Sequence, residues 1–211
     1  MLFDLTHTIK PDMPVFPGTA APVLSQANTL EEHGFRETGL SMTSHTGTHM
    51  DAPFHLLPQG RRLDQRAVDP FWGKAAVVDC AALGGGNTIT ADFLQRQDDL
   101  LRQADFVLLR TGHEALWGQP GFFSGFAVPD ADAARYLAAL GLKGVGTDAI
   151  SVDTVEDETL PNHRILLGAG LLSIENLCLS QLAEGELYEF FALPLKFEIA
   201  DGAPVRAVAR L

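Results

Sequence analysis

Cysteine is scarce in this 211-residue chain: there are two, Cys80 and Cys178, far apart in apolar company and forming no Cys-x-x-Cys pair. That argues against a disulfide framework or a cysteine metal knuckle, and both are expected as buried thiols. Basic residues are also few, 15 Lys plus Arg against 27 Asp plus Glu, for a net charge of −12. A chain of this charge repels phosphate backbones and anionic bilayers, so neither nucleic acid nor a membrane is an expected partner. No apolar run reaches transmembrane length, and the opening Met-Leu-Phe-Asp-Leu-Thr-His lacks the basic flank and long apolar stretch of a signal peptide. The cytoplasm is therefore the expected compartment. No linker, repeat or low-complexity tract stands out. Gly84-Gly-Gly86 reads as a turn and not as a phosphate cradle, because no Gly-x-Gly-x-x-Gly or Lys-Ser/Thr pattern accompanies it. What remains is ordinary globular composition, 46% hydrophobic and 20% charged, enough for one domain or two small ones with a sizeable core.

Histidine is not scarce where it matters. Of seven in the chain, three lie with an aspartate inside Ser44-His-Thr-Gly-Thr-His-Met-Asp-Ala-Pro-Phe-His55. The intervals between His45, His49, Asp51 and His55 are all even, and on an extended strand side chains two apart share a face. All four could then converge on one point. A helix would also bring His45 and His49 together, but Gly47 and Pro53 disfavour one here. Imidazole and carboxylate together suit zinc, manganese or iron, and water on such a metal becomes a usable nucleophile near neutral pH. The cluster reads as a hydrolytic metal site.

The rest of the chain reads as mixed α/β. Ala75-Ala-Val-Val-Asp-Cys80 and Phe106-Val-Leu-Leu-Arg-Thr111 are apolar runs of the buried-strand kind, and Lys143-Gly-Val-Gly-Thr-Asp148 is a third strand candidate. Residues 90–102 read as a helix capped by Thr90, with acidic residues early and Arg102 late. Residues 129–140 read as another, stopped by Gly141. This alternation predicts a mixed central β-region flanked by helices. Near the C-terminus, residues 187–197 and 204–211 look like two strands joined by a turn at Asp201-Gly202.

Two histidines and one aspartate leave a metal short of ligands. A second cluster downstream, from Asn162-His163 to Glu175-Asn176, offers an imidazole and a carboxylate. The carboxylate could complete the site or bridge two metals. Asn176 is a candidate hydrogen-bond partner for Glu175. Asp148 and Asp153 read as structural. His113, after Arg110-Thr-Gly at a strand end, stands where α/β folds often place a site residue.

His45-x-Gly47-Thr48-His49-x-Asp51-Ala52-Pro53-x-His55 resembles the signature of the cyclase family of metal-dependent hydrolases, whose best-known members are bacterial kynurenine formamidases. Similar blocks cover nearly the whole chain in the expected order: Asp4-Leu-Thr-His-Thr-Ile, Met13-Pro-Val-Phe16-Pro-Gly18, Gly146-Thr-Asp148-Ala-Ile-Ser151-Val-Asp153, His163 through Asn176, and Asp201-Gly-Ala-Pro204-Val-Arg-Ala207. The resemblance implies a single domain over residues 1–211 with a swivelling β/β/α architecture. It implies that His45, His49 and Asp51 bind one metal, that Asp51 also reaches a second, that His163 binds that second metal and that Glu175 bridges both. The metals would be zinc, two per subunit, with manganese as the alternative some relatives use.

His55 would be the acid/base and not a ligand, a role imidazole fills well near neutral pH. Phe16 would form an apolar wall for a flat aryl group. The implied reaction is hydrolysis of a small molecule, N-formyl-L-kynurenine, to L-kynurenine and formate. The formamidases carry tryptophan near the position of Phe16, so another amide, a cyclic amide such as isatin, or a lactone stands as the second substrate reading. A metal-binding protein without turnover would need a lost His55 or a broken ligand set, and neither is seen. Family members are dimers or tetramers, so a homo-oligomer is expected.

Overall fold

The computed structural model describes residues 1–83 and 88–211, so the Gly84-Gly-Gly86 turn lies outside the described residues. In chain order the strands are β1 (Leu2–Asp4), β2 (Val23–Asn28), β3 (Glu37–Ser41), β4 (His49–Asp51), β5 (Trp72–Asp79), β6 (Thr88–Ile89), β7 (Phe106–Arg110), β8 (Val128–Pro129), β9 (Gly144–Thr147), β10 (Leu172–Glu175), β11 (Leu187–Pro194) and β12 (Gly202–Arg210). The helices are α1 (Leu30–His33), α2 (Ala91–Gln95), α3 (Asp98–Leu101), α4 (Ala131–Ala139) and α5 (Pro161–Gly168).

Seven strands close into a ring in the order β4-β12-β11-β5-β7-β9-β10 and back to β4, with β1 added on the outside of the order beside β12. β5, β7, β9 and β10 run parallel, while β4, β11 and β12 are antiparallel to their neighbours. The parallel strands are buried on both faces, which is why they read as unbroken apolar runs. Alternate residues divide between two cores. Ala75, Val77, Phe106, Leu108 and Ile174 join Met50 and Phe190 inside the ring. Ala76, Val78, Val107 and Leu109 pack outward against residues of the helices, among them Leu94, Leu137 and Leu166. Helices therefore cover only the parallel side of a closed barrel.

Phe106 is fully buried inside the ring and meets Phe190 edge-on, with centroids 5.1 Å apart. Phe106→Ala should cost about 3–5 kcal/mol through the cavity it leaves. In a chain of this size that lowers the thermal midpoint by roughly 10 °C, readable by calorimetry or circular dichroism.

Two local expectations change. The helix read over 90–102 is two short helices, because Gln97 leaves helical geometry (φ −115°, ψ 21°) and the chain restarts as α3. Leu94 of the first helix and Leu101 of the second both lie in the outer core. Thr90 does cap the first segment, accepting the Phe93 N–H. Near the C-terminus, β11 and β12 pair antiparallel, but the connection spans residues 195–201 and is not a two-residue turn. β12 begins at Gly202, so Asp201 sits at its entrance instead of at a hairpin tip.

Candidate metal centre

β4 builds the site. Met50 points into the barrel, so His49 and Asp51 on either side of it face outward. The antiparallel register sets Glu175 of β10 opposite His49 and Ser173 opposite Asp51, which brings the Glu175 carboxylate to the same outer face. On the other edge of β4, Gly202 of β12 stands opposite Asp51. Only His49–Asp51 is strand. His45 stands in the preceding loop, before a turn at Gly47 (φ +66°), and His55 ends a 3-10 turn begun by Pro53. The four residues do converge, but by two changes of direction and not along one extended strand.

His163 is the third residue of α5. Leu160 before it is left-handed (φ 51°), and the cap is supplied from a distance by Asp153, which accepts the backbone N–H of Asn162 at 2.8 Å and of His163 at 3.0 Å. The same carboxylate meets His163 Nδ1 at 2.7 Å, leaving Nε2 to face Asp51 and Glu175.

The donor geometry is close and shared. Asp51 Oδ1 lies 2.6 Å from His45 Nδ1 and 3.3 Å from His49 Nε2, and Oδ2 lies 3.3 Å from His163 Nε2. Glu175 Oε2 is 3.5 Å from His49 Nε2, and its Oε1 is 3.1 Å from His163 Nε2 while also accepting the Val152 N–H. Asp51 is 1% exposed and Glu175 4%. Three groups of potential ligands result: His45–His49–Asp51 and Asp51–His163–Glu175, which share Asp51, and the less buried His45–His55–Asp201.

Each of the three imidazoles has its other nitrogen engaged. His45 Nε2 meets Asp201 at 3.0 Å, His49 Nδ1 meets the Gly47 carbonyl at 2.9 Å, and His163 Nδ1 meets Asp153. Such partners orient an imidazole and hold the remaining nitrogen ready for a metal. The donor set, imidazole nitrogen plus carboxylate oxygen on a buried face, fits zinc or manganese.

Charge agrees with that fit. Burial works against a charge on His45, but Asp51 and Asp201 outweigh it and lift the imidazole to about 10. Burial likewise opposes His163, yet Glu175, Asp153 and Asp51 hold it well above the imidazole range. Burial opposes ionisation of Asp51, and the facing histidines more than compensate, keeping it well below the usual carboxylate range. The two buried carboxylates thus demand positive charge, met here by imidazolium and equally by a divalent cation. His55 differs. Burial lowers it below the ordinary imidazole value despite the pull of Asp51, which favours its neutral form.

The cluster opens on a cavity of about 400 Å3. Pro14, Val15, Phe16, Ile150 and Leu160 supply its apolar lining, and His55 also lines it with its side chain 27% exposed. Phe16 is 37% exposed and lines the cavity.

Other candidates fall elsewhere. Asn176 does not hold Glu175: its Nδ2 donates to the Gly47 carbonyl at 2.9 Å, bracing the loop that carries His45 and His49. It does so from a left-handed conformation (φ 58°) that asparagine tolerates better than most residues. His113 is buried among Phe122 and Phe126 with Nε2 2.9 Å from the Phe122 carbonyl, away from the cavity. Asp148 accepts from Thr111 N and Oγ1 and from Gly112 N, tying down the end of β7, and burial pushes its carboxyl up to about 6. Cys80 and Cys178 are free thiols, buried and half-buried. The residues missed are Asp201 and Gly202. Asp-Gly carries a turn signal, and nothing local tells a turn aspartate from one aimed at a histidine 156 positions away.

A closed barrel with three imidazoles and two carboxylates on its outer face, at the foot of a largely apolar cavity, defines a candidate metal-dependent enzyme. The Cyclase family model matches residues 3–154, and the chain belongs to that family. The kynurenine formamidase of Salinibacter ruber is 34% identical over 217 residues, covering 99% of this chain and 97% of the relative. Among solved structures, one described as a potential metal-dependent hydrolase with cyclase activity superposes with a TM-score of 0.82 at 31% identity, covering 99% and 96% of the two chains. Isatin hydrolase A from Labrenzia aggregata, bound to benzyl benzoate, superposes with a TM-score of 0.87 at 26% identity, covering 99% and 93%. Among the described residues no helix is long and apolar enough to cross a membrane.

Proposed function

We propose that this chain is a metal-dependent amidohydrolase that converts N-formyl-L-kynurenine to L-kynurenine and formate. The observation that carries the reading is the pair of buried carboxylates, each offering separate oxygens to separate imidazoles beside an apolar cavity. Full-length similarity to a kynurenine formamidase supports the substrate. In this reading His45, His49 and Asp51 would hold one zinc, and His163, with Asp51 and Glu175, would hold a second. Manganese is the alternative. When bound, the metals supply Lewis acidity at the scissile carbonyl and make water a usable nucleophile near neutral pH.

The chain's own residues do the rest. Neutral His55 takes a proton from the attacking water and returns it to the departing aryl nitrogen as the C–N bond breaks. Phe16, Val15 and Ile150 flank the aryl ring and keep bulk water from it. The swivelling β/β/α arrangement, a cytoplasmic location and a homodimer or homotetramer without nucleic-acid or membrane partners belong to the same reading. The net charge of −12 supports the last part.

One observation favours a second substrate. No Lys or Arg lines the cavity among the described residues, so the α-carboxylate of N-formyl-kynurenine meets no Lys or Arg side chain there. An uncharged aryl amide, a cyclic amide such as isatin, or a lactone avoids that problem. Stripping metal with a chelator and restoring zinc or manganese, with N-formyl-L-kynurenine and isatin assayed in parallel, separates these readings. Turnover should fall to background without metal and return at about two ions per chain. Faster turnover of isatin would move the assignment to the cyclic amide, and turnover that survives complete metal removal would overturn both.

A further inference from the structure

Asp201 stands between two histidines that the proposed reaction uses differently. Its Oδ2 is 3.0 Å from His45 Nε2 and 3.7 Å from His55 Nδ1, and the two imidazole centroids are 4.1 Å apart. The backbone around it is fixed by the closure of the barrel: the Asp201 carbonyl accepts the Ala52 N–H at 2.8 Å, and Gly202 pairs with Asp51. Gly202 also carries the His45 ring against its Cα, where a Cβ would stand 2.5 Å from the ring. The carboxylate is therefore held by paired strands on one side and by a packed imidazole on the other.

We propose that Asp201 is a positioning residue that ties the orientation of His55 to that of His45. One carboxylate oxygen accepts from His45 Nε2, which turns His45 Nδ1 toward Asp51 and the metal donors. The same oxygen accepts from His55 Nδ1, which leaves His55 Nε2 unprotonated and facing the cavity. The 3.7 Å separation exceeds a hydrogen bond, and the pairing needs a shift of less than about 1 Å, of the kind catalytic contacts make when a site is filled. A carboxylate behind an imidazole fixes its tautomer and raises its basicity, and losing such a partner typically costs about 10–100-fold.

This inference rests on the proposed role of His55, so the test separates the two. In metal-free protein with 15N-labelled imidazoles, His55 should be predominantly the Nδ1–H tautomer. Asp201→Asn should shift it toward Nε2–H, and Asp201→Glu, which keeps the charge, should restore it. At saturating zinc, the Asn variant should lose roughly 10–100-fold in kcat with KM within about twofold, and the Glu variant should recover part of it. A His55 tautomer identical in wild type and Asp201→Asn overturns the proposal, even if kcat falls. A tautomer shift in a protein that turns over neither N-formyl-L-kynurenine nor isatin upholds the positioning and removes the proposed substrate reading.

Discussion

Asp51→Asn should reduce the metal content of the purified protein from about two ions per chain to one or none, and should lower kcat/KM by at least about 10^3-fold, or about 4 kcal/mol of transition-state stabilisation. Asp51 joins the two buried donor groups, His45–His49–Asp51 and Asp51–His163–Glu175, with Oδ1 toward His45 and His49 and Oδ2 toward His163. An amide preserves the shape but replaces one of those oxygens with a nitrogen that cannot coordinate. It also removes a buried negative charge from among three imidazoles, which lowers the attraction of the site for any dication. Elemental analysis together with steady-state kinetics checks both parts. A variant that retains two ions and wild-type turnover would show that Asp51 is not a bridging ligand.

His55→Ala should behave in the opposite way on one axis and alike on the other. It should keep about two metals per chain, yet lose about 10^2–10^4-fold in kcat, the usual range for a general acid–base, with KM little changed. His55 lies outside the two groups that share Asp51: it makes no ion pair with Asp51 or Glu175, and its ligand-type neighbours are Asp201 at 3.7 Å and His45. His45→Ala is the control, expected to lose metal and activity together. Loss of metal in His55→Ala would reassign His55 to the ligand set.

Much of this site could be read before any coordinates. His45, His49, Asp51 and His55 lie close together, and metal-type donors at even spacing are a local signal. Their even spacing nevertheless pointed to one long strand, where the chain uses three strand residues flanked by a glycine turn and a proline-led 3-10 turn. His163 and Glu175 gained meaning only because the first cluster was incomplete. Asp201 escaped notice because its relation to His45 and His55 depends on which strands pair, a property of ring closure that no local window contains. The same limit applies to the fold. Buried parallel strands announce themselves as apolar runs, whereas β4, which closes onto both β10 and β12, is only three residues long, His49–Asp51, with no strand pattern of its own. The split at Gln97 has no local signal: residues 90–102 satisfy a helical pattern throughout, and Leu94 and Leu101, seven apart, would share a face of a continuous helix as well.

The strand that closes the barrel is also the strand that carries His49 and Asp51, and its edges are met by residues 173–175 and 202–204. A chain still being synthesised therefore has no second carboxylate until Glu175 emerges, and no closed ring until β12 has followed it. The 112 positions between Asp51 and His163 make the centre a late product of folding, since such long loops close slowly. A truncated or unclosed chain therefore offers only the His45, His49 and Asp51 part of the donor set, without His163 and Glu175.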